Sequence, residues 1–544
     1  MPRFRKVALV GALMVPVVAG GFVLQSRVQR QGPALLEQVM SLVSDRYVDT
    51  LQMQDVYEKA ARGLVKELND PYSELFSPKD LKQFNTRTGG RYGGLGMLIE
   101  QDPQLKVIRI VTVYPNSPAE GGGVREGDLI MKVDSASTRG WTINQVSDSL
   151  LGDPGTKVKV TFARPGVPTP IMGTFTRAIV KIPAVPYTLT LGNNIGYIPL
   201  QVFNENAAEN IGAAVRQFQA KNARGLIIDM RGDPGGILDQ SLAIANMFIP
   251  QGQLIAAVKG REGPTQVENA KSTPIAPTIP IIILTDDRTA SASEIVTGAL
   301  QDHDRALVVG QTSFGKGLVQ GVYNLDGGYA LKLTTGKWFT PSGRSIQRPR
   351  KFLNGQFVED TPDTNETNAT KKSRPAFKSD AGRTVYGGGG ITPDVIVNED
   401  TLNAAEQTFT KTVAPKGQDF FTVLTDYSTE LAKTAGANFT MQPAWNTEFY
   451  NRLQAKGVTV DRKTYDAASR YVNRLIEQRV AHFAAGDSLA KRRDLPFDSP
   501  LRKSIELLDK SASQRELFAA AGEPLGTPTR ASANPATAPA VKKP

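Results

Sequence analysis

The sequence predicts an α/β fold built from several structural units, and two observations carry this prediction. Between about residues 185 and 345, apolar runs alternate with helical patterns; the strand-like runs include NIGYIPL, ARGLIIDM, TIPIIIL and RALVVG. Such alternation favours a layered α/β architecture. The chain has 544 residues, which is too long for a single hydrophobic core. Smaller units should therefore flank the α/β core.

Composition excludes several classes of function. The net charge is +11, but the basic residues are scattered and form no block interleaved with aromatic residues, so a role in nucleic-acid binding has little support. There is no cysteine, which excludes disulfides, thiol nucleophiles and thiolate metal sites. The only histidines are His303 and His482, too few for a multi-histidine metal site. We therefore expect neither a metal nor another cofactor.

Residues 1–30 have the pattern of an export signal. Basic residues precede the apolar run 7–24, as in a signal peptide, and this run is just long enough to cross a bilayer core of about 30 Å. The run continues past the small residues Ala19 and Gly20, so we expect an uncleaved membrane anchor rather than secretion. The positive-inside rule then places the rest of the chain in the cell envelope, on the periplasmic or extracytoplasmic side of the inner membrane.

A glycine-rich stretch predicts a peptide-binding site. In RYGGLGMLIE, residues 91–100, backbone N–H groups can converge on a carboxylate, and an extended peptide can add to the following strand. A simple glycine-rich hairpin is the alternative. Together with SPAEGGGVREGDLIMKVD and DPGTKVKVTFARPG, this stretch resembles a PDZ domain, which implies capture of chain ends with an apolar last residue. The residues predicted to bind the carboxylate are Gly94, Leu95, Gly96 and Met97.

The remaining segments differ in periodicity and composition. A Pro-rich joint at 164–173 should act as a hinge that lets the PDZ-like domain move, and a polar stretch at 350–385 should be a mobile insertion. The helices after residue 400 are amphipathic and could form a homodimer or dock an adaptor. The expected order is a signal or anchor at 1–30, a helical region at 31–86, the PDZ-like domain at 87–166, the core at 167–400, a helical extension at 401–522 and a disordered tail at 523–544.

The stretch TASASEI, residues 289–295, follows a buried strand and has two interpretations. It is a turn with a helix N-cap, or it presents Ser291 as a nucleophile at a strand-to-helix junction. A serine nucleophile needs a base. His303 lies roughly 18 Å down the predicted helix, and His482 has no nucleophile motif beside it. A serine–histidine–aspartate triad is therefore disfavoured, and lysine remains.

Lys316 is the candidate base. One helix, one strand and a turn separate it from Ser291, and this path returns the chain to the same edge of the sheet. A lysine base must be neutral, which burial favours. Gln320 shares a strand face with Lys316 at a period of two and could orient the amine without adding charge. The nearby GQTSFGKG, residues 310–317, fails as a phosphate loop because Gly317 replaces the required hydroxyl and a strand follows.

An acyl-transfer site also needs N–H donors for the oxyanion. IIDMRGDPGGIL, residues 227–238, ends a buried strand with two glycines, which allow the backbone to approach a ligand closely. A simple turn is an equally good interpretation. The candidate donors are the backbone N–H groups of Gly235, Gly236 and Ala292.

Six motifs in order give the chain a family resemblance across about residues 60–398. NDPYSELFSP, the PDZ-like blocks, DMRGDPGGIL, TASASEIVTGALQD, GQTSFGKGLVQ and GGITPDVIV resemble those of the carboxyl-terminal processing peptidases, or tail-specific proteases. The resemblance implies a core like that of the ClpP/crotonase superfamily, and a serine endopeptidase that cuts proteins near apolar C-termini. It also implies that Ser291 is the nucleophile, Lys316 the base and Gln320 its orienting partner. Asp233 stands where this family commonly has asparagine.

Two other classes of function compete with this one. A non-catalytic adaptor would bind C-terminal peptides through the PDZ-like domain, but it has no need for Ser291, Lys316 and Gln320 together. A small-acyl hydrolase or hydratase on the same core would leave the peptide site unexplained.

Overall fold

A computed structural model of the chain describes residues 33–101, 107–164, 167–353, 356–359 and 367–526. The expected anchor at 7–24 and residues 527–544 of the expected tail lie outside these ranges. Within them, no helix combines the length and the apolar character needed to cross a membrane.

The described residues form two compact units. The smaller one contains the residues up to Leu81 together with Gln320–Thr334 and Phe352–Phe357, and the larger one contains the rest. In the smaller unit, helix α1 spans 33–46, α2 spans Met53–Lys66 and strand β1 spans Glu74–Phe76. Helix α3, Pro78–Gly89, begins here and continues into the larger unit. The helical periodicity seen in the sequence before residue 67 is thus confirmed.

The PDZ-like region is a small antiparallel sheet with two helices. Its sheet has the order β3-β4-β5-β7-β8, so β3 is an edge strand. Apolar side chains such as Ile110, Val146 and Phe162 fill its core. The elements are β2 Arg91–Gly94, β3 Met97–Gln101, β4 Ile108–Val113, α4 Pro118–Gly121, β5 Leu129–Val133, β6 Ala136–Ser137, α5 Ile143–Leu150, β7 Lys157–Ala163, β8 Ile171–Thr176 and β9 Ala178–Lys181.

The Pro-rich joint at 164–173 is not a hinge between domains. It connects β7 to β8, which pair antiparallel from Lys157 with Thr176 to Phe162 with Ile171. Pro168 and Pro170 are tolerated because they precede β8 and so lie outside the ladder of hydrogen bonds. The expectation of a hinge here is therefore wrong, since the joint lies inside the small sheet.

The core is a six-stranded sheet with the order β10-β11-β12-β15-β16-β23. All neighbouring strands are parallel except β10 and β11, as the strand–helix alternation predicts. Only these six strands belong to the sheet. The strands and helices between residues 189 and 396, within and outside the sheet, are in chain order β10 Leu189–Leu191, β11 Ile195–Pro199, α6 Ala207–Ala220, β12 Gly225–Asp229, α7 Leu238–Asn246, β13 Leu254–Gly260, β14 Gln266–Asn269, β15 Ile281–Thr285, α8 Ala292–Asp302, β16 Leu307–Gly310, β17 Leu318–Asn324, β18 Ala330–Phe339, β19 Arg350–Leu353, β20 Gln356–Glu359, α9 Asn368–Lys371, β21 Ala376–Lys378, β22 Thr384–Tyr386 and β23 Val395–Ile396.

Side chains of the core strands alternate between two apolar layers. On one face, residues such as Ile228 and Ile283 pack with α6, α7 and α8. On the other, their neighbours Ile227 and Ile282 pack against the last helices of the chain. Burial of each such side chain contributes about 1.5–3 kcal/mol to the stability of the fold relative to leaving it exposed. The stability of the sheet therefore depends on both apolar layers.

The described end of the polar stretch 350–385 is packed rather than mobile. The Arg383 guanidinium is buried and pairs with Asp304 at 2.7 Å and with Asp394 at 2.8 Å. The buried Lys371 ammonium donates to two backbone carbonyls just before β23. The partner Asp304 lies 79 residues before Arg383, which is why composition alone suggested a loose segment.

The helices after residue 400 divide between two cores. The first five pack on each other around Phe409, Phe449 and Tyr465. The last two place Leu501, Leu508, Leu517 and Phe518 on the second face of the core sheet. The helices are α10 Ala404–Val413, α11 Gly417–Ala435, α12 Pro443–Ala455, α13 Arg462–Ala467, α14 Ser469–Asp494, α15 Ser499–Asp509 and α16 Gln514–Ala520.

Ion pairs link the PDZ-like region to α11 and α14. Arg109 contacts Asp426 at 3.2 Å. The His482 imidazole lies between two carboxylates, Glu126 at 2.9 Å and Asp487 at 2.8 Å. Hydrogen bonds to Asp487 and Glu126 raise the pKa of His482 to about 9. The imidazole is therefore a cation at neutral pH, and its ion pair with Glu126 links α14 to the PDZ-like region.

We expect His482→Gln to lower the free energy of unfolding at pH 7 by roughly 1–3 kcal/mol, because the raised pKa measures the attraction of the two carboxylates for the cation. Because the pKa of His482 is raised in the folded chain, the charged imidazole stabilises the fold in full below about pH 6.5. This contribution to the free energy of unfolding disappears as pH rises through about 9. Urea unfolding of both proteins between pH 6 and 10 measures the difference. Arg462→Gln, which removes a half-exposed ion pair with Asp466, is the control and should show no such pH trend. A difference that stays constant from pH 6 to 10 would contradict the assignment.

Candidate active site

Ser291 occupies the junction between β15 and α8. It is the N-cap residue of α8 and has φ 57° and ψ −112°. A non-glycine residue with positive φ is uncommon and strained, and such strain concentrates at functional sites. A serine on a sharp strand-to-helix turn is the arrangement of known nucleophile turns. Ser291 thus combines the N-cap position of the first interpretation with the strained backbone that is typical of functional sites.

Glu294 joins this turn to the segment that carries Lys316, and the sequence interpretation missed it. One carboxylate oxygen, Oε2, accepts the backbone N–H of Ser291 at 2.7 Å and that of Lys316 at 2.9 Å. The other accepts the Ser313 hydroxyl and the Gly315 N–H. Burial raises the pKa of Glu294, and these hydrogen bonds oppose the rise. The spacing of serine and glutamate, a capping-box signature, could have revealed it.

Lys316 is half-buried and lies in the loop between β16 and β17. Its carbonyl accepts the Trp338 indole N–H at 3.2 Å, and the neighbouring Gly317 carbonyl accepts the Trp338 backbone N–H at 3.0 Å. Trp338 is 1% exposed, so it anchors the loop rigidly. The topology thus returns Lys316 to the backbone of Ser291, as the sequence predicts.

Gln320 lies in β17 within the smaller unit. Its side-chain amide donates to the Thr334 hydroxyl at 3.4 Å. The strand begins only at Leu318, so the period-two argument that paired Gln320 with Lys316 does not reach the lysine. The orienting role of Gln320 stays a prediction.

The turn of Ser291 is bonded to the loop between β12 and α7, residues 230–237, which is called the glycine loop below. The Asp233 carbonyl accepts the Ala290 N–H at 2.9 Å and the Ser293 hydroxyl at 3.2 Å. Ser293 is fully buried, so it packs and holds the loop. In the same way, the Thr289 hydroxyl donates to the Met230 carbonyl at 2.8 Å. The two segments therefore form one frame around Ser291.

The structure brings two predicted oxyanion donors, Gly235 and Ala292, close together. A Cβ at Gly235, where φ is 88°, would stand 2.6 Å from the Ala290 carbonyl oxygen and 2.8 Å from the Ala292 nitrogen, so only glycine fits. The Gly235 N–H, however, donates to Asp233 Oδ1 at 2.8 Å. Gly236 lies against Phe203, whose carbonyl oxygen would stand 2.3 Å from a Cβ there. The oxyanion roles of Gly235, Gly236 and Ala292 stay predictions.

The Asp233 side chain is buried beneath this loop. It is 0% exposed, and its Oδ2 has no hydrogen-bond partner. Burial raises the pKa of Asp233 to about 8, against the hydrogen bond that the Gly235 N–H donates to Oδ1, and the charge of Asp286 adds to the rise. The side chain therefore carries a proton at neutral pH and resembles the neutral asparagine expected from the resemblance.

Neither histidine lies beside Ser291. His303 is the C-cap of α8, at the opposite end of that helix, and its ring nitrogens contact Asp380 and the Leu254 carbonyl. His482 lies in the contact between α14 and the PDZ-like region. The exclusion of a histidine base near Ser291 is thus consistent with the structure.

The predicted carboxylate-binding residues form the turn from β2 into β3. Gly94 ends β2, Met97 begins β3 and Leu95 is buried at 1% exposure. Burial raises the pKa of Tyr92, and the nearby N–H groups of Met97 and Gly96 oppose the rise. The carboxylate-binding role of this turn stays a prediction.

Comparison with known proteins gives matches over both regions. The model of peptidase family S41 matches residues 194–351, and a PDZ domain model matches residues 109–164. The first range includes Ser291 and Lys316, whereas the turn from β2 into β3 precedes the second.

Several curated proteins are similar to the chain over more than half its length. A carboxy-terminal-processing protease of Bartonella bacilliformis is 36% identical over 57% of this chain and 71% of its own length. The carboxy-terminal processing protease CtpA of Bacillus subtilis is 32% identical over 60% of this chain and 69% of its own. Among solved structures, the photosystem II D1 C-terminal processing protease is 28% identical over 60% of this chain and 84% of its own, with a TM-score of 0.34.

The raised pKa of Asp233 predicts how stability depends on pH. The folded chain keeps the proton up to about pH 8, while the unfolded chain releases it near pH 3.8. This contribution to stability is therefore full below about pH 4 and is lost as pH rises toward 8, by about 1.4 kcal/mol per pH unit. Asp233→Asn keeps the shape and cannot ionise. Urea unfolding at pH 5.5, 6.5 and 7.5 should show wild type losing stability relative to this variant, and parallel curves would refute the protonated state.

Proposed function

This chain belongs to the carboxy-terminal processing proteases of peptidase family S41, and we propose that it cleaves proteins near their C-termini through Ser291 and Lys316. It is a serine peptidase with a PDZ domain. The observation that carries the assignment of the dyad is the Glu294 oxygen that accepts both the Ser291 and the Lys316 backbone N–H. A shared acceptor fixes the spacing of the two backbone positions that carry nucleophile and base before substrate arrives, and acyl transfer requires such positioning.

The proposed reaction has two halves. The Ser291 hydroxyl oxygen attacks the scissile carbonyl while the neutral Lys316 amine takes its proton. Backbone N–H groups of Ala292 and the glycine loop stabilise the tetrahedral oxyanion. The intermediate collapses as the lysine proton passes to the leaving amine, which frees the C-terminal fragment and leaves an ester on Ser291. Water, deprotonated by Lys316, then attacks this ester and releases the second fragment.

The PDZ domain supplies the preference for chain ends in this proposal. Its edge strand β3 can pair with an extended peptide, and the turn before β3 places N–H groups for the terminal carboxylate. Substrates would be proteins with apolar C-termini.

We also propose that this reaction takes place outside the cytoplasm. The support is the basic and apolar pattern of residues 1–30, which fits an anchor or a secretion signal. The C-terminal helices could still serve a homodimer or an adaptor.

The dyad is tested by three substitutions. Ser291→Ala and Lys316→Ala should each lower kcat/KM on an unstructured protein substrate at least ~1000-fold, since removal of one member of such a unit abolishes its chemistry. Lys316→Arg should be equally inactive because a guanidinium does not deprotonate in proteins. Circular dichroism should show each variant folded.

Matched controls separate the dyad from its surroundings. Ser293→Ala should still be labelled by a fluorophosphonate, and Lys337→Ala, an exposed lysine on β18, should keep wild-type activity. Cleavage by purified Ser291→Ala at the wild-type rate would overturn the proposed nucleophile. If Ser291→Ala binds C-terminal peptides but wild type cleaves none, the chain acts as an adaptor.

The PDZ proposal predicts recognition of a free carboxylate. A peptide with an apolar last residue should bind the Ser291→Ala variant, and its amidated form should bind at least ~10-fold more weakly because the charge-assisted hydrogen bonds are lost. Gly96→Ala should abolish binding, since φ there is 90° and the new Cβ would stand 2.2 Å from the Ser117 Cβ. Gly140→Ala, with φ 82° and open space around it, is the control. Fluorescence anisotropy measures both, and equal affinity for acid and amide would refute the carboxylate site.

A further inference from the structure

A buried ion cluster lies at the start of the glycine loop. The Arg231 guanidinium donates to both oxygens of Asp229, at 2.9 and 2.7 Å, and to both oxygens of Asp498, at 2.9 and 2.8 Å. The exposed fractions of these side chains are 11%, 7% and 5%. Tyr197 donates its hydroxyl to Asp229 at 2.7 Å. Such bidentate pairs fix the orientation of a guanidinium in the plane of each carboxylate.

The two carboxylates of this cluster come from different parts of the chain. Asp229 is only two residues from Arg231 and ends β12, so it ties the Arg231 side chain only to the strand that precedes it. Asp498 is the N-cap of α15, where it accepts the Leu501 N–H at 3.0 Å, and Lys491 donates to it at 2.6 Å. The cations Arg231 and Lys491 hold the pKa of Asp498 far below its usual range. Asp498 is thus a fixed anchor set by the C-terminal helices.

A short path leads from this anchor to Ser291. The Arg231 N–H is bonded to Asp229, and the next N–H, that of Gly232, donates to Asp286 at 2.9 Å. One residue further, the Asp233 carbonyl accepts the Ala290 N–H. The loop then passes Ser291 so closely that a Cβ at Gly235 would stand 3.0 Å from the Ser291 Cβ. A shift of Arg231 therefore displaces the backbone that faces the nucleophile.

We infer that Asp498 is a positioning residue for the Ser291 site. Its carboxylate, at the start of α15, binds the Arg231 guanidinium and so fixes the position of the glycine loop that faces the oxyanion. The inference rests on the proposed function. It gives the C-terminal helices a part in catalysis without contact with substrate. Transition-state donors are effective only when held in place beforehand, so a displaced loop slows the chemical step and leaves substrate binding unchanged.

Asp498→Asn tests the inference, because asparagine also caps helices but cannot pair with Arg231 as a carboxylate. We expect kcat to fall at least tenfold with KM within about twofold of wild type, and the rate of Ser291 labelling by a fluorophosphonate to fall in parallel. Asp494→Asn is the matched control. Asp494 lies at the end of α14 and pairs with Arg474 at 2.8 Å, so its loss costs a similar ion pair without touching Arg231, and kcat should stay within twofold.

Arg231→Lys carries the test if Asp498→Asn does not fold. Lysine keeps the positive charge but lacks the planar guanidinium whose N–H groups bond both carboxylates. We therefore expect kcat to fall again while KM is preserved. Wild-type kcat in a folded Asp498→Asn protein, an equal loss in Asp494→Asn, or a loss confined to KM would each overturn the inference. Full activity of Ser291→Ala would instead refute the proposed function, and this inference with it. An inactive Ser291→Ala beside a fully active Asp498→Asn refutes the positioning role alone.

Discussion

The site depends on one buried carboxylate. Glu294 lies in the first turn of α8, and its two oxygens accept donors from the turn of Ser291 and from the loop of Lys316. A buried carboxylate is stable only when such donors surround it, so the two segments cannot separate without leaving it unsatisfied. The strained backbone of Ser291 persists for the same reason, since the surrounding bonds hold it.

The sequence predicted the core because buried parallel strands appear as nearly continuous apolar runs. It also predicted that Lys316 returns to the neighbourhood of Ser291, because a strand–helix–strand path returns the chain to one edge of the sheet. It missed Glu294, because a charged residue is on average exposed and this carboxylate is buried. The Pro-rich joint was misjudged because proline in a strand connection and proline in a linker look alike in a sequence.

Long-range ion pairs were beyond the reach of the sequence. Nothing near Arg383 or Arg231 in the chain indicates Asp304 or Asp498 as a partner, and a charged residue is on average exposed. The pattern of α15 predicts an apolar face, but a helical pattern does not identify the surface it covers. The attachment of the C-terminal helices to the core sheet is therefore knowledge that only the structure supplies.

That attachment has a consequence for biosynthesis. The helices that cover the second face of the core sheet, α15 and α16, span Ser499–Asp509 and Gln514–Ala520, so a growing chain leaves that apolar face bare until these helices have been made. The turn of Ser291, the loop of Lys316 and the glycine loop are all synthesised earlier, on a sheet whose second apolar face is still uncovered. The core that carries the site is therefore completed only after α15 and α16 have been synthesised.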